Sequence, residues 1–235
     1  MINVDQIIKR TINDFQNNKN KFSKLDYIDI EKYHLLHTKP LVPLDIRVDS
    51  KLFTEQIEIY KNYFQIWGQD YKQSFRYGIP LVNLTGKINF DHDPINGSLH
   101  IWNQKNPDIP YIESDFRIPT PIMDISSLRS LNVFNNHWCR SNILKWYNGS
   151  EFKPHIDTVL PSPWFRLWGT TDSKNIELIF YNENNEIIEI DPIESGRIYL
   201  IDTTLVHSAK CINDVAYQYF LSVLPSAYDI LLKLR

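Results

Sequence analysis

The chain has 235 residues, 43% of them hydrophobic and 23% charged, a composition that suits one globular domain with a sizeable core and excludes a disordered tail protein. A formal net charge of −3 without any basic run argues against nucleic acid or an anionic membrane surface as a partner. Two cysteines, Cys139 and Cys211, are too few for a disulfide framework, the charged and Asn-rich start Met1–Lys24 lacks the apolar run of a signal peptide, and no stretch is long enough to span a bilayer, so the reducing cytoplasm is the expected compartment.

The first part of the chain reads as broken helix. Ile7, Ile8, Ile12 and Phe15 fall on one helical face, and Phe53, Ile57, Tyr60, Tyr63 and Phe64 repeat that pattern between Leu52 and Trp67. Between them the Pro-bearing stretch from Thr38 to Ile46 reads as extended chain. From Ile79 onward short apolar runs alternate with turn clusters, of which Asn96-Gly97 and Asn148-Gly149 are the strongest. Ile125 to Val133 has the three-residue spacing of a short helix, through Ile125, Leu128 and Leu131.

Past Cys139 strands dominate. The candidates are Ser141–Tyr147, Phe165–Thr171, Ile176–Tyr181, Ile187–Ile190, Arg197–Leu200 and Tyr217–Val223, with the amide-rich turn Asn182–Glu186 between two of them. Short strands at this spacing without intervening helices predict an antiparallel sandwich or barrel. No repeat and no linker is visible. The expected organisation is therefore one domain over residues 1–235, with a helical part over 1–75 packed on a β core over 140–225.

The sharpest feature is Lys153-Pro154-His155-Ile156-Asp157. On a strand, positions two apart share a face, so His155 and Asp157 project together and Ile156 faces away. His207 follows 207 − 155 = 52 residues later, after the apolar run Ile198–Asp202 and the turn-like Thr203-Thr204. Two imidazoles and a carboxylate on one face of a barrel form a set that leaves metal positions open, as a non-haem Fe(II) oxygenase requires. An H-x-D triplet alone is weak evidence, since most such residues are solvated. Its surroundings strengthen it. A Gly149 turn leads into Pro154-His155, and Gly196 precedes the apolar strand before His207-Ser208-Ala209.

With the Arg166-Leu-Trp168 block, these parts make the stretch from Ile143 to Val223 resemble the 2-oxoglutarate-dependent oxygenases of the aspartyl/asparaginyl β-hydroxylase type, which include free-proline hydroxylases. The resemblance implies a double-stranded β-helix, a jelly-roll, cupin-like core, with Fe(II) as metal and 2-oxoglutarate and dioxygen as cosubstrates. It implies hydroxylation of a small substrate, a free amino acid or related carboxylate. A hydroxylase of peptidyl side chains, a non-catalytic metal- or ligand-binding β-barrel, and a cupin-like iron enzyme that needs no oxo acid are the rival readings.

A dianionic oxo acid in a partly dry pocket needs a cation or several donors. Arg166, 166 − 155 = 11 residues after the first ligand, shares a strand face with Trp168 and Thr170 and is the first candidate. The family also places an Arg ten residues after the second His; here that position is Tyr217, which supplies one hydrogen bond and no charge. Lys145, Tyr147 at its i+2 position, and Arg140 are candidate replacements, with Arg197 more suited to the surface. Ser208 and Thr204 flank His207 and could hydrogen-bond groups around it, with Ser208 also a candidate cofactor contact, while Asp202 reads as a turn residue. Arg76 and Arg117 are candidate partners for a substrate carboxylate, Trp168 is a further candidate substrate contact, and it and Trp138, Trp146 and Trp164 are candidate pocket walls or core. Asp91-His92-Asp93 with His100 reads as a solvated loop, His34 and His37 as structural, and His137 with Cys139 as too few ligands for zinc.

Overall fold

The computed structural model describes residues 3–18, 27–67, 76–88, 99–108 and 110–235. The Asp91-His92-Asp93 cluster and the Asn96-Gly97 turn lie outside these residues.

The helices are α1 (Val4–Asn18), α2 (Ile30–Leu36), α3 (Ser50–Ile57), α4 (Leu99–Lys105) and α5 (Tyr228–Leu234). The strands are β1 (Leu41–Arg47), β2 (Gln65–Ile66), β3 (Arg76–Asn83), β4 (Ile118–Pro119), β5 (Ser141–Trp146), β6 (Glu151–His155), β7 (Phe165–Thr170), β8 (Ile176–Tyr181), β9 (Ile187–Ile188), β10 (Arg197–Ile201), β11 (Val206–Cys211) and β12 (Ala216–Val223). Asp29 and Asp49 cap α2 and α3 by accepting from backbone N–H groups of the first turn. Among the described residues no helix is long and apolar enough to cross a membrane.

From β5 to β12 the chain passes back and forth between two antiparallel sheets, staying in the smaller one from β8 to β9. The larger has the order β1-β10-β7-β12-β5-β3-β2, with β4 beside β3, and the smaller has the order β6-β11-β8-β9. This eight-strand winding is the double-stranded β-helix, or jelly roll. β1 extends its larger sheet on one side, and β3 and β2 extend it on the other.

Period-two alternation sorts side chains between two cores. On β12, Ala216 and Phe220 pack between the sheets, while Tyr217, Tyr219, Leu221 and Val223 face the helical layer. On β5, Leu144 and Trp146 point inward and Ile143 outward; on β7, Trp168 points inward and Phe165 and Leu167 outward. The helical layer brings Phe53 of α3 edge-on to Tyr217 and Tyr219, and Tyr33 of α2 against Phe165. A third small core forms where Val4 of α1 meets Ile156, Tyr181 and Val206 on the outside of the smaller sheet.

Some expected elements differ. The helical pattern from Leu52 to Trp67 stops as α-helix at Ile57, tightens to 3-10 over Glu58–Tyr63, and ends in β2. Within its helical part Phe53 and Ile57 are buried, whereas Trp67 is buried only after the chain has become strand, so packing fixes only the first two turns as α-helix. Ile125 to Val133 is likewise 3-10 helix, Ser126–Phe134. The N-terminal part is not wholly helical, since β1 and β2 join the larger sheet.

Candidate metal centre

β6 and β11 lie side by side in the smaller sheet, with His155 and His207 paired across the ladder. Their ring centroids are 4.4 Å apart. β6 ends at His155, and Asp157 follows on a bend whose amide donates to the Thr203 carbonyl at 3.1 Å. Ile156 turns to the outer core under α1, so the i, i+2 geometry places both ligand side chains inward. One ligand atom from each of His155, Asp157 and His207 lies within 4.8 Å of the other two, which suits a single ion.

The histidine tautomers follow from their partners. His155 Nδ1 is 2.7 Å from the Lys153 carbonyl, and His207 Nδ1 is 3.0 Å from the Leu205 carbonyl. A carbonyl only accepts, so each Nδ1 carries the proton and each Nε2 presents a lone pair to the site. His155 Nε2 is buried without a hydrogen-bond partner, 3.3 Å from Asp157 Oδ1. Two acceptor atoms held this close repel each other unless a cation sits between them, so this donor set fits a divalent metal. Burial, with His155 beside it, pushes His207 down to about 4, which keeps it a neutral ligand at physiological pH. Burial opposes ionisation of Asp157; in the metal-free site a proton on His155 that its Nε2 donates to the carboxylate, together with Arg166 and a protonated His207, outweighs burial and holds the carboxyl well below the ordinary carboxylate range, and a cation between the ligands takes the place of that proton.

The turn before β11 is braced from the helical layer. Tyr33 Oη donates to Asp202 at 3.0 Å, and Asp202 also accepts from the Thr204 amide at 3.0 Å and its hydroxyl at 2.6 Å. Asp202 therefore does more than end a strand: it holds the loop whose Thr203 carbonyl positions Asp157.

Arg166 is buried on the inner face of β7. Its Nη1 donates to Ser222, its Nε is 3.8 Å from Asp157, its Nη2 is 3.8 Å from Glu113, and its guanidinium lies 4.1 Å over the Phe220 ring. Arg140 is also buried and pairs with Glu113 at 3.4 Å. Arg76, on β3, points inward between the rings of Trp146 at 5.1 Å and Phe152 at 4.4 Å. Trp168 occupies the inner wall as well.

Other expected site residues are elsewhere. Tyr217 and Lys145 are cross-strand partners on the face opposite the metal ligands, where both meet Glu58 at 3.1 and 3.7 Å. Tyr147 sits on the same outer side, against Tyr77 and Lys145. The reason is parity: the inward residues of β12 are even-numbered, so ten residues beyond His207 falls on the wrong face. Ser208 also faces outward, 3.2 Å from the Tyr181 hydroxyl, next to the core beneath α1. Arg117 is exposed and donates to the Asn136 carbonyl at 2.9 Å. Arg197 is partly exposed and pairs with Glu194 at 3.0 Å. Trp138 belongs to the helical-side core. His37 stacks on Tyr33 at 3.8 Å, and His137 bonds Ser226 at 2.9 Å.

Glu113 is the inner-wall residue that sequence reading missed. It stands in an acidic Glu-Ser-Asp stretch that resembles a solvated turn, and no local signal marks its burial.

No family model and no curated protein matches the chain. Among solved structures it is similar to a prolyl hydroxylase of Trichoplax adhaerens bound to a hypoxia inducible factor oxygen degradation domain peptide fragment, at 14% identity over 92% of this chain and 94% of that one, with a TM-score of 0.46. It is similar to SnoK, the non-heme alpha ketoglutarate dependent carbocyclase from nogalamycin biosynthesis, at 11% identity over 83% and 84%, with a TM-score of 0.44. It is also similar to EvdMO1 at 14% identity, covering 36% of this chain and only about a quarter (26%) of that one, with a TM-score of 0.31.

Proposed function

We propose that this chain is an Fe(II)- and 2-oxoglutarate-dependent dioxygenase that hydroxylates an unactivated C–H bond of a small substrate, a free amino acid or related carboxylate. The observation that carries the reading is the open triad: two Nε2 lone pairs and one carboxylate converge within 4.8 Å on one side of a jelly roll. Three protein ligands leave the remaining positions of an octahedral ion to cosubstrates, whereas a structural zinc site closes with four. When bound, iron and the oxo acid supply an oxidant made from dioxygen as the acid loses carbon dioxide.

The protein's own part is binding, orientation and exclusion of water. The Lys153 and Leu205 carbonyls hold both imidazoles in the ligating tautomer. Arg166 keeps Asp157 ionised and aimed at the ion. Trp146, Trp168 and Phe220 wall the inner face with apolar surface, which keeps water from the reacting bond. A zwitterionic substrate suits the pair formed by Arg140 and Glu113, because Glu113 Oε2 is buried with no partner among the described residues and accepts from an ammonium group.

The test is spectroscopic first. Anaerobic addition of Fe(II) and then 2-oxoglutarate should give the weak visible charge-transfer band of a chelate. A well-folded, iron-loaded protein without that band would sink the 2-oxoglutarate reading. Succinate release is then screened with free amino acids. Stimulation by one of them supports the small substrate, stimulation by peptides alone overturns it in favour of a peptidyl side chain, and no turnover at all favours a binding barrel.

A further inference from the structure

Among the described residues three guanidinium groups are buried between the sheets, and their charge balance differs. Arg140 and Arg166 lie against Glu113, and Arg166 also lies near Asp157, so two cations face two carboxylates within 4 Å. Arg76 faces none. Only 6% of it is exposed, no described acid is in ion-pair distance, and its Nε and Nη1 have no hydrogen-bond partner among the described residues. A buried cation without a counter-charge is costly, and a fold keeps one where a ligand compensates.

Its place in the barrel says which ligand. Arg76 pairs with Trp146 across β3 and β5, and its guanidinium lies 4.4 Å over Phe152. Phe152 also meets His155 edge to face, with ring centroids 4.0 Å apart. The unpaired cation and the candidate ligand His155 thus contact the same aromatic ring. An oxo acid that chelates the ion through its keto-acid end has its second carboxylate a few bonds away. The two flanking rings hold the guanidinium without using its N–H groups. Nothing on the outer face competes, since Lys145 and Tyr217 are turned away.

We propose that Arg76, rather than Arg166 or a residue of β12, is the anchor for the far carboxylate of the oxo acid and makes the site select a dicarboxylate over a monocarboxylate. Resting on the dioxygenase reading, this assignment sets Arg166 apart as the residue that positions Asp157. Guanidinium and carboxylate pair through charge-assisted hydrogen bonds, so the preference is large and specific to that end of the ligand.

The experiment is calorimetric titration of the full chain loaded with Mn(II), without turnover, using 2-oxoglutarate and 2-oxovalerate. These acids share the chelating end and differ at the far carboxylate. Wild type is expected to favour 2-oxoglutarate by about 30- to 100-fold, the span that charge-assisted hydrogen bonds produce. Arg76→Gln should lose that preference while keeping its affinity for 2-oxovalerate, and Arg76→Lys should recover part of it. If Arg76→Gln does not fold, Arg76→Lys alone must show a reduced preference. A variant that keeps the wild-type preference, or a wild type that has none, overturns the assignment and leaves the dioxygenase reading standing. Metal-loaded wild type that binds neither acid overturns that reading and the assignment together.

Discussion

If Arg76 carries an unbalanced charge for the sake of a ligand, then removing that charge should stabilise the ligand-free protein. Burial pulls the Arg76 guanidinium down to about 10, and no neighbour opposes that pull. Each tenfold loss of proton affinity relative to the ordinary value near 12.5 is worth about 1.4 kcal/mol, so the charged form carries a penalty of about 3 kcal/mol at neutral pH. Arg76→Met keeps the length of the side chain against Trp146 and Phe152 and removes the charge. It also removes two cation–π contacts worth about 1 kcal/mol each. The expected net effect is a gain of about 1 kcal/mol, or a melting temperature raised by about 2–4 °C for a chain of this size.

The pH dependence has a definite sign. A base whose pKa is lower in the folded state is protonated more in the unfolded state between about pH 10 and 12.5. The wild type's penalty is therefore complete below pH 10 and fades above it, and the advantage of Arg76→Met shrinks over the same window. The assay is urea unfolding of metal-free protein at pH 7 and pH 10.5, followed by far-UV circular dichroism. Saturating the Mn(II)-loaded proteins with 2-oxoglutarate should reverse the order, since a ligand at about 100 times its Kd adds about 2.7 kcal/mol to the form that binds it. A metal-free Arg76→Met less stable than wild type by more than about 1 kcal/mol refutes the reasoning, because the guanidinium would then be a structural asset.

Further outcomes follow from the site and its braces. His155→Ala or Asp157→Ala should abolish Mn(II) and Fe(II) binding with unchanged circular dichroism; unchanged affinity would place the ion elsewhere. Tyr33→Phe removes the buried donor to Asp202 and should lower stability by about 2 kcal/mol, with weaker metal binding read by competition against a chelator. Gly196→Ala should prevent accumulation of folded protein, because φ is +78° and a Cβ would sit 2.3 Å from the Val48 carbonyl oxygen. Phe53→Ala should cost about 3–5 kcal/mol by leaving a hole beside Tyr217 and Tyr219 without altering metal affinity, since that core lies across the larger sheet from the ligands.

The candidate metal centre was legible because its signal is local. His155 and Asp157 are two residues apart, and strand geometry alone puts them on one face with Ile156 behind. The second histidine was read from its place after an apolar strand and a turn, and the ladder places it directly opposite the first. The contacts intended for the oxo acid were less legible. Counting ten residues past His207 landed on Tyr217, but β12 turns its even-numbered residues inward, and a shift of one residue exchanges the two faces. Glu113 was invisible because an acid before an Asp in a polar stretch looks solvated until tertiary packing buries it.

Periodicity and spacing, properties of neighbouring residues, thus determined the β-rich class, most core strands and the three candidate ligands. Which charges share the space between the sheets depends on residues 76, 113, 140 and 166, brought from separate segments onto one inner wall. Pairing across that wall is a long-range property. The balance of Arg140 and Arg166, and the lack of it at Arg76, exist only once the two sheets close on each other.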